Sequence, residues 1–521
     1  MPPRAILIGI MLTVVLLGVP ALGQSPQPGQ PAGSCGVRGG VFKFGLARDA
    51  VGLDPHLNYG VTSWSVQGNV YDTLLQYDRQ GNIGPALAES WTQPQPTRYV
   101  FRLRRGVRFH DGAPFTAADV LYTFQRIRDP NTRAYRQRDL DALEDVTAPD
   151  PYTVEVRLKN PSATFLDMLG RPEMYIVSRR WAEAGGDFRR TAVGTGPFRL
   201  TGYEFGVRYI LERNPTAWSP PCLDRVELYP YQDDRARVNA LKSGQVDMIE
   251  YLPWQDVEHF FREPGYKVYR GRELFNLVRL NTTRPPLNNP KVRQALNFAV
   301  NRQSVGIVAF GGQAQPNEGF LIRQDSWAYN PQTSRVWKYD PERAVALLRE
   351  AGMQPQDVRL TFESTPLSVH LDSAQVILQQ LRALGMQVEF RVIELAVLLQ
   401  KRANGDYMMV MDGLSAPWGD PDAYYVYFHS TGTQHAAAVR FKNERLDQLL
   451  DEGRRAVDQT RRKAIYNDVE RILAQEAPWI FVLWRPQAEV GRNHLKGYVR
   501  LPGVLGTATT GFFERLWIER P

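Results

Sequence analysis

Hydrophobic positions recur along this chain with two different periods. In NPKVRQALNFAVNR, Val292, Ala295, Leu296, Ala299 and Val300 fall on one face at 3.6-residue spacing, with Pro290 suited to a first helical turn. A second helix is predicted from Asp340-Pro341, with Val345, Leu347 and Leu348 inward and Gly352 at its end. LDSAQVILQQLRALG reads as a third, running into Gln387 to Ile393, where Val388, Phe390 and Val392 alternate as in a strand. Tyr407-Met-Met-Val-Met411 and Trp479 to Trp484 read as buried strands, with two helices between residues 443 and 475. Helix, glycine and strand in repeated succession predict sheets covered by helices, an α/β fold.

Residues 70 to 130 are patterned differently. Tyr99-Val-Phe-Arg-Leu-Arg alternates as a strand, Arg105-Gly106 turns, Val107 to His110 reads as a second strand, and Asp111-Gly112 turns again. Thr116 and Asp119 then have the spacing of a capping box that opens a helix. His110, Asp111 and Asp119 are accordingly turn and cap residues rather than an acid/base trio.

The chain's 521 residues, 43% of them hydrophobic, exceed what one core supports, so more than one domain is expected. Residues 1–23 read as a signal peptide: Arg4, an apolar run from Ala5 to Val19, then Pro20 and Ala21-Leu22-Gly23. That run is short for a membrane span, and the polar stretch 24–35 reads as a linker without stop-transfer charges. The protein is therefore expected to be exported to the periplasm and not integral to the membrane. Cys35 lies too far from the apolar run to suit lipid attachment, and Ala32 precedes it where a branched aliphatic is usual. Cys35 and Cys222 are the only cysteines, leaving open one disulfide or two thiols.

The formal charge of +8 comes from dispersed arginines without the basic run and interleaved aromatics of a nucleic-acid groove, so no nucleic-acid partner is expected. Phosphate loops, G-x-S-x-G, S-x-x-K, H-E-x-x-H and C-x-x-C are all absent, which argues against an enzyme and predicts no cofactor and no metal site. Gly194-Thr195-Gly196-Pro197 lacks the third glycine of a dinucleotide site and reads as a turn.

The run ALAESWTQPQPTRYVFRLRRGVRFHDGAPFTAADVLYTFQRI (residues 86 to 127) resembles the defining segment of family 5 extracytoplasmic solute-binding proteins, the peptide, nickel and opine type serving ABC importers. Leu53-Asp-Pro-His56, Tyr71-Asp-Thr-Leu-Leu75, Gly194-Thr-Gly-Pro-Phe-Arg-Leu200, Glu212-Arg-Asn-Pro215 with Trp218, Asn239 to Met248 and Val292-Arg-Gln-Ala-Leu296 follow in the family's order. The resemblance implies a two-lobed periplasmic binding protein of type II, cluster C, with an extra domain and a ligand cleft between lobes joined by two hinge crossings. Domain I would comprise 36–71, 191–282 and 486–521, domain II 72–190, and domain III 283–485. Such a protein binds its solute, works with ABC permease subunits and is expected to be a monomer.

By position, the resemblance assigns Tyr59, Val61 and Trp64 from domain I, Tyr135 from domain II, Leu277 and Arg279 beside the first crossing, Leu414, Ser415, Ala416 and Trp418 from domain III, and Trp484 beside the second crossing to the cleft wall. Where peptide-binding relatives carry the aspartate that pairs with a peptide's α-amino group, this chain has Pro417, which holds no charge. Arg279, if it faces the cleft, favours an anionic ligand. The leading expectation is an importer's binding protein for a peptide-like or other small organic solute. A metal chelate or haem as cargo is the alternative within the family, and an exported hydrolase using Asp420 and Asp422 is the alternative of another class.

Overall fold

A computed structural model of the protein describes residues 35–50, 52–57, 60–415, 420–432, 440–501 and 513–519, with Val61, Arg272, Glu273 and Ser415 described by backbone alone. One extended sheet joins the two lobes. Its strands run in the order Gln387–Val392, Arg359–Ser364, Met409–Ser415, Tyr266–Leu280, Trp479–Arg492, Met248–Ile249, Val41–Leu46, Arg225–Pro230, Arg208–Arg213 and Phe198–Glu204. The first three lie in the second lobe and the last five in the first.

Tyr266–Leu280 and Trp479–Arg492 belong to both lobes. They pair antiparallel from Tyr266 opposite Arg492 to Arg279 opposite Trp479, with register shifts between Gly271 and Leu274 and between Asn276 and Leu277. Beyond the first shift, Leu274 to Leu280 pair with Met409–Ser415 of the second lobe. From Leu274 on, the strand Tyr266–Leu280 is thus paired on one side with Met409–Ser415 and on the other with Trp479–Arg492. On its partner the change falls between Arg485 and Gln487, opposite Leu274 and Gly271. The strand that opens at Trp479 continues well past Trp484, since Arg485, Gln487 and Glu489 alternate with Ala488 and Val490.

Apolar packing follows this division. Phe42, Phe44, Val70, Tyr209, Leu228, Phe513 and Leu516 form a first-lobe core assembled from distant parts of the chain. Leu74 to Val193 contribute a separate cluster under the four-stranded sheet Ala88–Gln95, Arg98–Leu103, Thr153–Leu158 and Leu143–Asp150. Two further clusters fill the second lobe on either face of its sheet.

The helix Ala117–Arg128 opens on a capping box, with the Thr116 backbone N–H donating to Asp119 at 2.9 Å. Val107 to His110 is not a strand: Arg108 makes one isolated bridge to Pro114, and Phe109 N–H donates to Ala113, closing a tight loop whose alternation imitates a strand. In the helix Pro341–Glu350 the buried face is Ala344, Leu347 and Leu348, which leaves Val345 half-buried. Cys35 and Cys222 are joined in a disulfide, so the Cys35 sulfur is engaged within the chain.

Candidate functional site

The extra domain and the second lobe touch along a line that starts at the turn before the helix Ala423–Phe428. Asp422 lies at that helix's N-terminus, fully buried, and accepts a hydrogen bond from Thr164 Oγ1 of the extra domain at 3.1 Å. Arg454 grips the same carboxylate through Nε to Oδ1 and Nη2 to Oδ2, both at 3.1 Å, and its carbonyl accepts from Ala163 N–H. Asp420 receives Nη1 and Nη2 of Arg462 at 2.7 and 2.5 Å while its Oδ1 accepts the Asp422 N–H. Each carboxylate therefore has a bidentate guanidinium partner. Neither is available as the acid or base of a hydrolase, and that alternative is withdrawn. Arg138 of the extra domain adds contacts to the carbonyls of Thr431 and Gly432.

A buried charge cluster of the second lobe lies by the strand Met409–Ser415. Asp412 accepts from Arg279 Nε at 2.6 Å and from Arg402 Nη1 at 2.9 Å. Burial alone would raise its carboxyl, but Arg402 and Arg279, with His370 behind them, hold it well below the usual carboxylate range. Arg402 in turn feels Tyr135 of the extra domain, and His370 feels Arg485 of the hinge strand and Arg48 of the first lobe. Burial keeps His370 neutral by lowering it to about 4, with Asp412 opposing and Arg485 and Arg48 assisting. Two guanidinium groups of the second lobe thus converge on a single aspartate, and His370 beside it also senses Arg48 of the first lobe.

Between these contacts lies a third group. Tyr135 carries the Arg136 guanidinium 5.2 Å from its ring centroid, and Arg136 donates Nε and Nη2 to Glu173 and Nη1 to Asp139. Glu173 also faces Arg171, whose guanidinium stands 5.6 Å from the Trp64 ring centroid. Asp167 sits one helical turn before Arg171. Burial pushes its carboxyl up to about 6, and the charge of Asp420 across the lobe boundary adds to the effect. On the hinge strand, Gln487 is buried with neither amide atom hydrogen-bonded to a described residue.

The residues assigned from sequence separate into distinct fates. Tyr135 stands where the lobes meet, as just described. Trp64 is only 2% exposed yet belongs to none of the packed apolar clusters. Leu277, Leu414 and Trp484 instead pack into one of the two apolar clusters of the second lobe, Trp484 edge-on to Phe275 at 5.4 Å. Their place is core packing, since Phe275, Leu277, Leu414 and Trp484 project to one face of the paired strands. Arg279 is buried on Asp412 and over the Trp479 ring at 4.8 Å, so its charge is already committed. Tyr59, Ala416, Pro417 and Trp418 lie outside the described residues, and the side chains of Val61 and Ser415 do as well. Arg171, Arg402, His370 and Gln487 escaped sequence reasoning, because isolated polar residues carry no periodic signal.

Among the described residues no group of three His, Cys, Asp or Glu side chains is placed to hold a metal ion, and no helix is long and apolar enough to cross a membrane. Comparison with known proteins agrees with the architecture. The PBP AgaA of A. tumefaciens R10, determined with agropinic acid, is 30% identical and superposes with a TM-score of 0.86 over 92% of this chain and 99% of its own. Helicobacter pylori DppA, an ABC transporter-associated periplasmic binding protein determined with the peptide STSA, is 27% identical with a TM-score of 0.85 over 93% and 99%. Di/tripeptide-binding protein 2 of Pseudomonas aeruginosa is 28% identical over 87% of this chain and 91% of its own length. The glutathione-binding protein GsiB of Escherichia coli K12 is 28% identical over 86% and 90%. The model of the bacterial extracellular solute-binding proteins, family 5, matches residues 82–435, and the members of that family are substrate-binding proteins rather than enzymes. Two lobes on a shared sheet, meeting around buried arginines, and this match over most of the chain make the protein a member of the bacterial extracellular solute-binding proteins, family 5.

Proposed function

We propose that this protein is exported to the periplasm after removal of residues 1–23, captures a peptide-like or other small organic acid between its lobes, and delivers it to an ABC importer's permease. The observation that carries this reading is a group of buried arginines near where the extra domain approaches the second lobe: Arg279 and Arg402 on Asp412, and Arg136 and Arg171 on Glu173, with Arg485 and Arg48 acting on the neighbouring His370. Two guanidiniums to each of these two carboxylates leave the region net positive, which favours a solute that brings its own carboxylate. Pro417, where peptide-binding relatives carry the aspartate for a free amine, points the same way. The relatives named for di- and tripeptides, glutathione and agropinic acid all handle molecules that bear carboxylates.

Closure supplies the mechanism. A ligand touching both lobes stabilises the arrangement in which Thr164 reaches Asp422, and its release follows when the two crossing strands flex apart. Thermal unfolding of the purified protein with trialanine, glutathione and agropinic acid tests this. At least one acid raises the unfolding midpoint in a saturable way. Saturable binding of neutral sugars alone contradicts it.

A further inference from the structure

The lobes also touch on the other side of the strands that cross between them. The helix Trp254–Arg262 belongs to the first lobe, where its Val257 and Phe260 pack with Ala488 and Val490 of the strand Trp479–Arg492. Leu252 N–H, just ahead of the helix, donates to the Ala488 carbonyl and ties the helix start to that strand. Trp254, the first residue of the helix, reaches past this cluster to the second lobe. It packs against the cluster of Phe310, Val482 and Leu483, with ring centroids 6.4 Å apart between Trp254 and Phe310. Under the indole lies Gly311, which ends the helix Arg302–Phe310 in the left-handed region at φ 57°. A Cβ on Gly311 would stand 2.5 Å from Cζ3 of Trp254. The indole N–H has no acceptor among the described residues, so packing alone seats the ring.

This contact and the one at Thr164 lie on opposite faces of the crossing strands. Phe481 and Trp484 point into the cluster of the helix Ala423–Phe428, whose preceding residue Asp422 receives Thr164 of the extra domain. Val482 and Leu483 point the other way, into the cluster that holds Phe310 and receives Trp254. When two bodies joined by a pair of strands rotate apart on one face, they are pressed together on the other. Opening the cleft therefore drives Trp254 onto Gly311, where the backbone already has no room for a methyl group.

We infer that Trp254 seated on Gly311 is a stop behind the cleft, which limits how far the lobes open and so sets the share of ligand-free protein that is ready to bind. The stop presupposes the lobe closure proposed above.

Small-angle X-ray scattering of the ligand-free, full exported chain tests the stop without any solute. Trp254→Ala removes it, and the radius of gyration is expected to exceed that of wild type. Gly311→Ala wedges the same seam apart and turns the lobes toward each other on the cleft face, so its radius of gyration is expected to fall below that of wild type. Calorimetric titration with trialanine, glutathione and agropinic acid then reads the consequence. For whichever probe binds wild type, Kd is expected to rise about three- to tenfold in Trp254→Ala and to fall about threefold in Gly311→Ala. Unfolding midpoints report whether each variant is folded, and either variant decides alone if the other is not. A lowered midpoint with wild-type radius and affinity makes Trp254 simple packing and overturns the stop. Shifts of the same sign in both variants overturn it as well. No saturable binding of any probe by wild type contradicts the proposed function, while the radii of gyration still decide the stop.

Discussion

Asp412 holds two buried guanidiniums with one carboxylate, and removing it would leave Arg279 and Arg402 facing each other in a site of low polarity. Asp412→Ala is expected to cost about 3–5 kcal/mol of stability, read from denaturant unfolding at neutral pH. Its folded-state carboxyl lies below the ordinary value of 3.8, so this contribution is fully present above that pH and is lost as the solution is acidified further. The wild-type advantage over the variant should therefore shrink below pH ~4. Trp484 makes a complementary case. Placed in the cleft wall from sequence, it packs against Phe275 in a core, so Trp484→Ala is expected to lower apo stability by about 3–5 kcal/mol, measured by the same method. The sequence could not separate these roles, because a tryptophan beside a hinge looks alike whether its ring meets a ligand or a phenylalanine.

At the scale of elements, the junction between the helix Phe165–Leu169 and the turn at Asp422 couples closure to pH. Asp167 sits higher than an ordinary carboxyl, at about 6 against 3.8, first through burial and then through Asp420 on the other lobe. Ionising it costs the folded, closed form more than the unfolded one. That cost is absent below pH ~4, grows as pH rises to about 6, and is constant above. Asp167→Asn is expected to stabilise the protein by about 1–2 kcal/mol at pH 7.5 and to leave it unchanged near pH 4, by thermal unfolding at both. Thr164→Ala, which removes a hydrogen bond between lobes, should weaken solute affinity about three- to tenfold while hardly moving the apo midpoint.

Elements themselves were largely legible. Proline at a first turn and apolar spacing located Pro290–Ala299 and Pro341–Glu350, and Thr116 with Asp119 located the start of Ala117–Arg128. Val107 to His110 misled because a loop closed by Arg108 and Phe109 buries alternate residues as a strand does. The reach of Trp479–Arg492 was hidden by Arg485, Gln487 and Glu489, polar residues buried at the boundary between lobes.

For the whole molecule, the disulfide between Cys35 and Cys222 ties the start of the described chain to a residue 187 positions away in the first lobe. Replacing both cysteines by serine is expected to cost about 2–4 kcal/mol in unfolding while leaving solute affinity unchanged, since the bridge lies within one lobe. Family and fold could be read from ordered motifs spread over the chain, whereas the pairing of Asp412 with Arg279 and Arg402 joins residues far apart in sequence and shows only in the fold. Closure of the lobes on the solute is the central claim. Small-angle X-ray scattering of the purified chain, titrated with whichever of the three acids raises its unfolding midpoint, addresses it most directly. The account predicts that the radius of gyration falls along the same saturation curve as binding and that the acid's methyl ester at equal concentration leaves it unchanged. Saturable binding of the acid with no change in the radius of gyration would contradict the account.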